Sequence, residues 1–454
     1  MSRLRILAGA LALALLAPLA ALAVDTGSAD FTRYVAIGDS LTAGYQSGGL
    51  AQASQRNSYP ILIYRQATGQ STGFEQPLVS DPGLPAQVEL RSLSPLFIAP
   101  KAGSGVPLNL NLARPYNNLA VPGANVHDVV ATVTDHGGLH DLILRGLGTA
   151  LQQAVALHPT FVTVWIGNND ALRAVIAGRV IDGVTLTPAA SFETDYRAMA
   201  NALAATGAKL AFANVPDVTS IPFVTTIQPF VVNPATNLPV LVNGNRVPLI
   251  GPNGLLSAND HVLLTAQAEL AQGRGIPTAL GGSGLPLSDS SVLDAGEAAT
   301  ISARITAYNA VIRTVAQEKN AAFVDANTVL RGVAVNGISV GGITYSSAFL
   351  TGGVFSYDGI HPTAFGYAFT ANQFIAAINA QYNGHIPLVN LYPFVFGPIP
   401  GALATTAAAR QKLGMDPPNT ATLSPEAIRN LFWALHVDPD APAPASHGHH
   451  RRGH

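Results

Sequence analysis

The sequence predicts a layered α/β fold with a mainly parallel sheet. Short apolar runs rich in Val, Ile, Phe and Ala recur along the chain, and amphipathic helical patterns lie between them. An order in which strands and helices alternate is typical of α/β layers. The predicted strands are residues 34–37, 161–166, 209–214 and 321–325. The predicted helices are residues 144–157, 188–205, 297–319 and 363–380.

The predicted helices have recognisable ends and faces. His158-Pro159 ends the first helix. The second has Thr187 as its N-cap and Pro188 at its first helical position. The third has one apolar face, formed by Ile301, Ile305, Tyr308, Ile312 and Val315.

Three stretches interrupt this alternation. Residues 218–293 form a long apolar insertion rich in Gly and Pro, with β-like pieces around Asn243-Gly244, and such an insertion often acts as a lid or a pocket wall. Residues 333–340 around Asn336-Gly337 are predicted to form a β-hairpin. Residues 385–454 form a C-terminal extension, whose His- and Arg-containing tail at 441–454 is predicted to be disordered.

The composition excludes several classes of protein. Hydrophobic residues make up 48% of the 454 residues and charged residues 11%, whereas disordered chains are poor in apolar residues and rich in charge. Lys and Arg number 24 against 26 Asp and Glu, so no basic excess is available to bind nucleic acid. The absence of Cys excludes disulfides, thiolate metal sites and cysteine nucleophiles.

The N-terminus has the layout of a secretory signal peptide. Arg3 and Arg5 precede an apolar stretch that ends in Ala21-Leu22-Ala23. An uncleaved membrane anchor is the alternative, but Pro18 and the polar residues after position 24 favour cleavage. We therefore expect a signal peptide at 1–23, a main domain at 24–384, and a secreted or periplasmic protein.

The first candidate for chemistry follows the first predicted strand. Gly38-Asp39-Ser40-Leu41 places Ser40 at the carboxyl end of a buried strand, where α/β sheets bind their ligands. A serine in this position can be a nucleophile. It can also be no more than a helix cap, with Asp39 as a turn residue.

Three further segments carry polar residues or a turn that fit the same site. Gly123 lies in a turn in which a backbone N–H can point outward without a Cβ in the way. Gly167-Asn168-Asn169-Asp170 follows the second predicted strand, at the same sheet edge as Ser40. Asp358 and His361 lie three residues apart on a turn before the last helix. Each segment alone has a structural explanation, but their joint occurrence favours function.

At these residues the chain resembles the SGNH hydrolases, also called the GDSL family of esterases and lipases. That family is recognised by four blocks, which are matched in order at Ser40, Gly123, Asn169 and His361. The resemblance covers about residues 32–380, but neither the insertion nor the C-terminal extension. It implies a flavodoxin-like, three-layer α/β/α fold, ester hydrolysis and no cofactor.

The chemistry of ester hydrolysis assigns a role to each matched residue. Ser40 would be the nucleophile and His361 its base, with Asp358 fixing the tautomer of the imidazole. The oxyanion hole would consist of the N–H groups of Ser40 and Gly123 and the side-chain amide of Asn169. Asp39 is expected to be structural. So is Asn168, which points away from the site if Asn169 points in.

Two other patterns are weaker candidates. Ser71 and Ser339 each match G-x-S-x-G, but neither lies between a predicted strand and a helix, as that motif requires. A local group of His and Asp residues could hold a metal, but its spacing suits a loop better, and no metal site is predicted. The group consists of His127, Asp135, His136, His140 and Asp141.

These features together predict an exported serine ester hydrolase. Apolar residues early in the insertion suggest an acyl pocket near Ser40, and hence lipid or aryl esters and transient contact with lipid surfaces. They are Ile221, Pro222, Phe223, Pro229, Phe230, Val231 and Val232. A polysaccharide acetyl esterase is the alternative, although Trp165 is the only Trp of the main domain and no second one offers a sugar platform. A secreted binding protein on the same scaffold is the alternative without catalysis.

Overall fold

A four-stranded parallel sheet lies at the centre of the computed structural model, which describes residues 23–93, 96–396 and 422–423. The strands are neighbours in chain order. They are β1 (Tyr34–Gly38), β2 (Phe161–Trp165), β3 (Lys209–Ala213) and β4 (Ala322–Val324). The four predicted strands are therefore confirmed, with small shifts at their ends.

A short segment around Asn118 extends the sheet beyond β1. Its backbone pairs in parallel with Ala36, whose N–H donates to the Asn117 carbonyl at 2.8 Å and whose carbonyl accepts from the Leu119 N–H at 2.9 Å. If this segment is counted as second in chain order, the order across the sheet is 2-1-3-4-5, as in flavodoxin-like folds. The point where that order reverses lies between the carboxyl ends of β1 and β2, which is where such folds bind ligands.

Helices cover both faces of the sheet. In β1, Val35 and Ile37 belong to one apolar cluster, and Tyr34 and Ala36 belong to another on the opposite face. The first cluster packs under Val126–Ala131, Ala150–Ala156, Ala189–Ala205 and Ala295–Glu318. The second packs under Tyr59–Thr68 and Ala364–Tyr382. The α/β/α layers that the sequence predicts are therefore present.

The remaining described α-helices are mostly short connectors. They are Ser40–Ala43, Gln52–Gln55, Leu139–Leu144, Asn169–Ala177, Pro222–Thr225, Gln267–Ala271, Ala326–Asn336 and Tyr392–Phe396.

The sequence-based helix boundaries need two corrections. The helix predicted at 144–157 is interrupted, because Arg145, Gly146 and Gly148 all have positive φ and a new helix begins only after its cap Thr149. At the next predicted helix, Pro188 is the N-cap residue rather than the first helical residue.

The insertion at 218–293 consists of short paired pieces. Leu241–Val242 pairs with Asn245–Arg246, and Asn243 and Gly244 between them both have positive φ, as a type I′ turn requires. The β-like pieces predicted around Asn243-Gly244 are thus confirmed. Two more antiparallel pairs follow, Ile250–Gly251 with Gly254–Leu255 and His261–Val262 with Val292–Leu293.

The hairpin predicted around Asn336-Gly337 is displaced along the chain. Asn336 ends the helix Ala326–Asn336, and Gly337 follows it with a φ of 67°. The hairpin that comes next pairs Ile338–Val340 with Ile343–Tyr345. The prediction was wrong because this Asn-Gly pair terminates a helix, a use of glycine as common as the hairpin turn.

The two ends of the main domain meet. The His385 N–H donates to the Asp25 carbonyl at 2.7 Å, and the Ser28 N–H donates to the Tyr382 carbonyl at 2.9 Å. The Tyr382 hydroxyl in turn donates to the Leu210 carbonyl near the start of β3, at 2.7 Å. These contacts lie at the rim of the sheet where the strands begin.

The C-terminal extension is described in two parts. Residues up to 396 follow the last long helix, and Ile386 and Val389 are buried there. Thr422–Leu423 pairs in parallel with one strand of the hairpin Val88–Leu93 and Leu96–Pro100. The predicted signal peptide up to residue 22 and the predicted tail at 441–454 lie outside the described residues. None of the helices within the described ranges has the length and apolar character that crossing a bilayer requires.

Candidate active site

Ser40 begins the short helix Ser40–Ala43 directly after β1 and is almost completely buried. Asp39 caps this helix, because its Oδ1 accepts a hydrogen bond from the Leu41 N–H at 3.0 Å. Ser40 is therefore not the cap, which was the structural alternative. As the first residue of a helix, it also has an N–H group without an acceptor inside that helix.

Asp39 is held by Asn168 from the neighbouring strand end. The Nδ2 of Asn168 donates to Asp39 Oδ2 at 2.8 Å, which supports the expected structural role of both residues. Burial raises the pKa of Asp39 to about 6, although the Asn168 hydrogen bond opposes the shift. Asn168 was expected to point away from the site if Asn169 points in. Instead Asn168 lines the same pocket as Ser40, whereas Asn169 and Gly123 are not among the described lining residues.

The structure brings Asp358 and His361 together on the turn before the last long helix. Nδ1 of His361 lies 2.9 Å from Oδ2 of Asp358, and both side chains are buried. Because the carboxylate accepts, this contact assigns the proton to Nδ1 and leaves Nε2 with its lone pair.

The Asp358 carboxylate accepts hydrogen bonds on both oxygens. Oδ2 also accepts from the Gly48 N–H at 2.7 Å, while Oδ1 accepts from the Ile360 and His361 N–H groups, each at 2.9 Å. Burial alone would raise the pKa of Asp358, but the charge of His361 and these hydrogen bonds outweigh it and hold the pKa below its usual value. Asp358 is thus ionised near neutral pH and can stabilise an imidazolium.

His361 and Ser40 line one pocket. Nε2 of His361 is buried and has no hydrogen-bond partner among the described residues, so it is not bonded to Ser40 Oγ in this structure. Hydrogen bonds between catalytic groups are often long before substrate binds and tighten in the complex. The ring of Tyr45 lies against the imidazole, with the ring centres 4.8 Å apart.

The turn that contains Gly123 is fixed beside the Ser40 helix. The Val121 N–H donates to the Gly38 carbonyl at 3.1 Å, and Asn118 Nδ2 donates to the Thr42 carbonyl at 2.9 Å. Gly123 has a φ of 84°, a left-handed conformation that favours glycine. The sequence prediction of a turn at this glycine is therefore correct.

Asn169 and Arg173 hold this turn from the helix that follows β2. Asn169 Nδ2 donates to the Ala124 carbonyl at 2.8 Å, and Arg173 Nη2 donates to the Gly123 carbonyl at 3.0 Å. A side-chain amide has two N–H donors, so Asn169 retains a second N–H beside this contact. The sequence analysis did not predict a role for Arg173. The signal was its position four residues after Asn169, which places both side chains on the same helix face.

Asp170 adds a third contact to the same turn. Its buried Oδ2 accepts from the Val126 N–H at 3.0 Å, at the start of the helix Val126–Ala131. Burial raises the pKa of Asp170 to about 7. The carboxyl group therefore adds an acceptor at the start of that helix, whose N-cap is Asn125, and Asp170 lies outside the set of residues that line the Ser40 pocket.

The pocket at Ser40 has mainly apolar walls. Ser40, Asn168 and His361 supply polar groups on one side of it. No Asp, Glu, Lys or Arg is among the described residues that line it. Two helices contribute nine of the lining residues: Ala326, Val329, Leu330, Val333, Gly366, Phe369, Thr370, Gln373 and Phe374.

The insertion contributes less to this pocket than the sequence suggested. Of the side chains predicted to form it, Ile221 alone is found in the described lining, whereas Phe230, Val231 and Val232 line a separate pocket. Phe223 is buried, and its N–H donates at 2.9 Å to the carbonyl of Gly359, which lies between Asp358 and His361. This part of the insertion therefore supports the His361 turn.

The weaker candidates lie elsewhere. Ser71 follows the helix Tyr59–Thr68 in a bend, and Ser339 lies in a hairpin strand. His127 contacts Asp195 rather than the other members of its predicted metal group. No cluster of three or more His, Cys, Asp or Glu residues that could hold a metal occurs within the described ranges.

The sequence model of the GDSL-like Lipase/Acylhydrolase family matches residues 34–374. No curated protein matches the chain. A catalytic mutant of an acetylxylan esterase from Geobacillus stearothermophilus is a similar solved structure, at 13% identity over 76% of this chain and 93% of that chain, with a TM-score of 0.35. A second is an α/β hydrolase from the metagenome of Lake Arreo, Spain, at 14% identity over 77% of this chain and 95% of that chain, with a TM-score of 0.34. A lipase/acylhydrolase from Enterococcus faecalis matches at 12% identity over 60% of this chain and 78% of that chain, with a TM-score of 0.27.

The buried carboxyl group of Asp39 makes stability depend on pH. Its pKa in the folded protein is about 6, against 3.8 when unperturbed. Because the unfolded state releases this proton at lower pH, the free energy of unfolding falls as pH rises from about 4 to 6. Asp39→Asn removes this loss, and we expect the variant to gain about 3 kcal/mol relative to the wild type between pH 4 and pH 7. Urea unfolding at the two pH values measures it.

The exposed Asp30→Asn is the matched control for the loss of one carboxylate. If the difference in free energy of unfolding between the wild type and Asp39→Asn stayed constant from pH 4 to pH 7, that result would contradict the raised pKa of Asp39.

Proposed function

Because the chain belongs to the GDSL-like Lipase/Acylhydrolase family, we propose that it hydrolyses carboxylic esters through an acyl-enzyme on Ser40. The observation that carries this proposal is the geometry of His361. Its Nδ1 is held by the ionised Asp358, its Nε2 has no hydrogen-bond partner among the described residues, and His361 lines the same pocket as Ser40. A serine hydroxyl is a weak nucleophile and needs such a base.

In the first step, Ser40 Oγ attacks the ester carbonyl carbon while His361 Nε2 takes the hydroxyl proton. Asp358 stabilises the imidazolium that forms. The negative oxygen of the tetrahedral intermediate accepts hydrogen bonds from the N–H groups of Ser40 and Gly123 and from Asn169 Nδ2. Loss of one such donor typically costs about 3–4 kcal/mol of barrier.

In the second step, the imidazolium of His361 gives its proton to the leaving alcohol, and the carbon–oxygen bond to that alcohol breaks. The acyl group remains on Ser40. His361 then accepts a proton from water as the water attacks the acyl carbon, and returns it to Ser40 Oγ when the acid leaves. The scheme requires no cofactor.

We propose lipid or aryl esters as substrates. The uncharged and largely apolar pocket beside Ser40 supports this class, because burial of each methylene contributes about 0.8 kcal/mol. The alternative of a polysaccharide acetyl esterase calls for a shallow polar cleft. A binding protein without catalysis, the remaining alternative, would need neither the Asp358–His361 pair nor a buried serine.

A fluorophosphonate probe tests the nucleophile. Such a probe forms a covalent bond only with an activated hydroxyl, so we expect the wild type to be labelled at Ser40 and Ser40→Ala to remain unlabelled in intact-mass spectrometry. Ser71→Ala is the control and should be labelled like the wild type, since Ser71 lies outside the described lining of the pocket. An unlabelled wild type would contradict the proposed chemistry.

A substrate comparison tests the class of ester. We expect kcat/KM for p-nitrophenyl esters to rise from acetate to octanoate, because more apolar surface is buried in the pocket. Release of acetate from acetylated xylan by the same preparation is the comparison. The lipid and aryl assignment would be wrong if acetate were the one acyl group released.

We also propose that the protein is exported, on the basis of Arg3, Arg5 and the apolar stretch up to Ala23. Cleavage after Ala23 should give a mature chain that begins at Val24. Intact-mass spectrometry of the protein expressed with its natural N-terminus measures this. A mature chain that retains Met1 to Ala23 would contradict a cleaved signal peptide.

A further inference from the structure

We propose that the groove between the helices Ala326–Asn336 and Ala364–Tyr382 binds the acyl chain of the ester, and that Val329 and Leu330 set the chain length it accepts. The inference rests on the proposed function, because it requires an acyl group on Ser40. The sequence suggested that the insertion forms the acyl pocket. The inference assigns that pocket to two helices near the end of the main domain instead.

The first wall of the groove is an apolar stripe on one helix. Ala326, Val329, Leu330 and Val333 recur at the spacing that places side chains on one face, and all four line the pocket. At 1.5 Å of rise per residue the stripe is about 10 Å long. The helix follows β4, so the stripe starts at the sheet edge where Ser40 lies.

The second wall is a matching stripe on the last long helix. Gly366, Phe369, Thr370, Gln373 and Phe374 line the pocket at the same helical spacing. This helix begins at Ala364, just after His361, and runs away from it. Both stripes therefore start beside the proposed catalytic residues, and a groove bounded by them leads away from Ser40.

The polarity along the groove fits an alkyl chain of limited length. Ser40 and His361 lie at its start, and apolar side chains follow along both walls. The half-buried Thr370 and Gln373 come one and two turns after Gly366. Polar groups there disfavour a longer alkyl chain, since burial of an amide or hydroxyl without a partner is costly.

The order of the two reaction steps favours the acyl part of the ester, rather than the alcohol part, as the occupant of the groove. The acyl group stays bound to Ser40 between the two steps, whereas the alcohol departs and water must approach His361 in its place. An apolar groove without charged lining among the described residues holds the part that stays and keeps water out of that volume. Binding of the alcohol in the groove is the alternative that the experiment separates.

Val329→Trp tests the groove by filling it. Val329 is half-buried in the lining, and Val335 on the same helix is 82% exposed and outside it, so Val335→Trp is the matched control. We expect Val329→Trp to lower kcat/KM for the octanoate by about tenfold or more relative to its effect on p-nitrophenyl acetate, as lost methylene burial at about fourfold each implies. Val335→Trp should match the wild type on both esters.

Two series of esters identify which part of the substrate occupies the groove. In one series the acyl chain grows at constant p-nitrophenol, and in the other the alcohol grows at constant acetate. The inference is overturned if Val329→Trp lowers the rates of the alcohol series selectively, lowers all rates of the acyl series equally, or changes none. If Val329→Trp fails to fold, Leu330→Ala decides in its place, because loss of that wall should lower the rate on octanoate several-fold more than the rate on acetate.

The proposed function fails in a different way. In that case the wild type itself hydrolyses no ester in either series and is not labelled by the fluorophosphonate probe. A wild type that is labelled and active, with a Val329→Trp variant that has the wild-type chain-length profile, refutes the groove alone.

Discussion

The buried carboxylate of Asp358 is the acceptor on which the arrangement of the site depends. It accepts the Gly48 N–H, which belongs to the chain just after the Ser40 helix, and the N–H and Nδ1 of His361. One charged group thereby joins the segment of the candidate nucleophile to the turn of the candidate base. Loss of such an acceptor would leave several buried donors without a partner, at a cost of about 1–3 kcal/mol for each.

The parts of the structure that local patterns determine could be predicted. The four strands followed from short apolar runs, and Asp358 and His361 share a turn because they lie three residues apart. The hairpin was displaced because Asn-Gly can either turn a hairpin or end a helix, and the local sequence does not distinguish the two uses. The groove walls were missed for a further reason: they are apolar helix faces whose partner is set by packing between segments distant in the chain.

The turn at Gly123 is held in place by side chains of one neighbouring helix. Asn169 donates to the Ala124 carbonyl and Arg173 to the Gly123 carbonyl. Asp170 accepts the N–H of Val126, the first residue of the helix that follows. All three residues lie within the first turn and a half of one helix, so a single rigid element orients the turn. On the other side, Phe223 of the insertion contacts the turn of His361. The insertion thus supports the site through this backbone contact as well as through Ile221 in the pocket lining.

The position of the domain ends determines which side of the molecule a tether at the N-terminal end would hold. Asp25 and His385 are joined at the rim where the strands begin, whereas Ser40 and His361 lie at the opposite rim. The helix Ala364–Tyr382 separates the two rims by about 28 Å. A tether attached before Asp25, whether a cell-surface linker or a chromatography resin, would therefore hold the molecule at the rim opposite Ser40 and leave the mouth of the pocket facing away from the support.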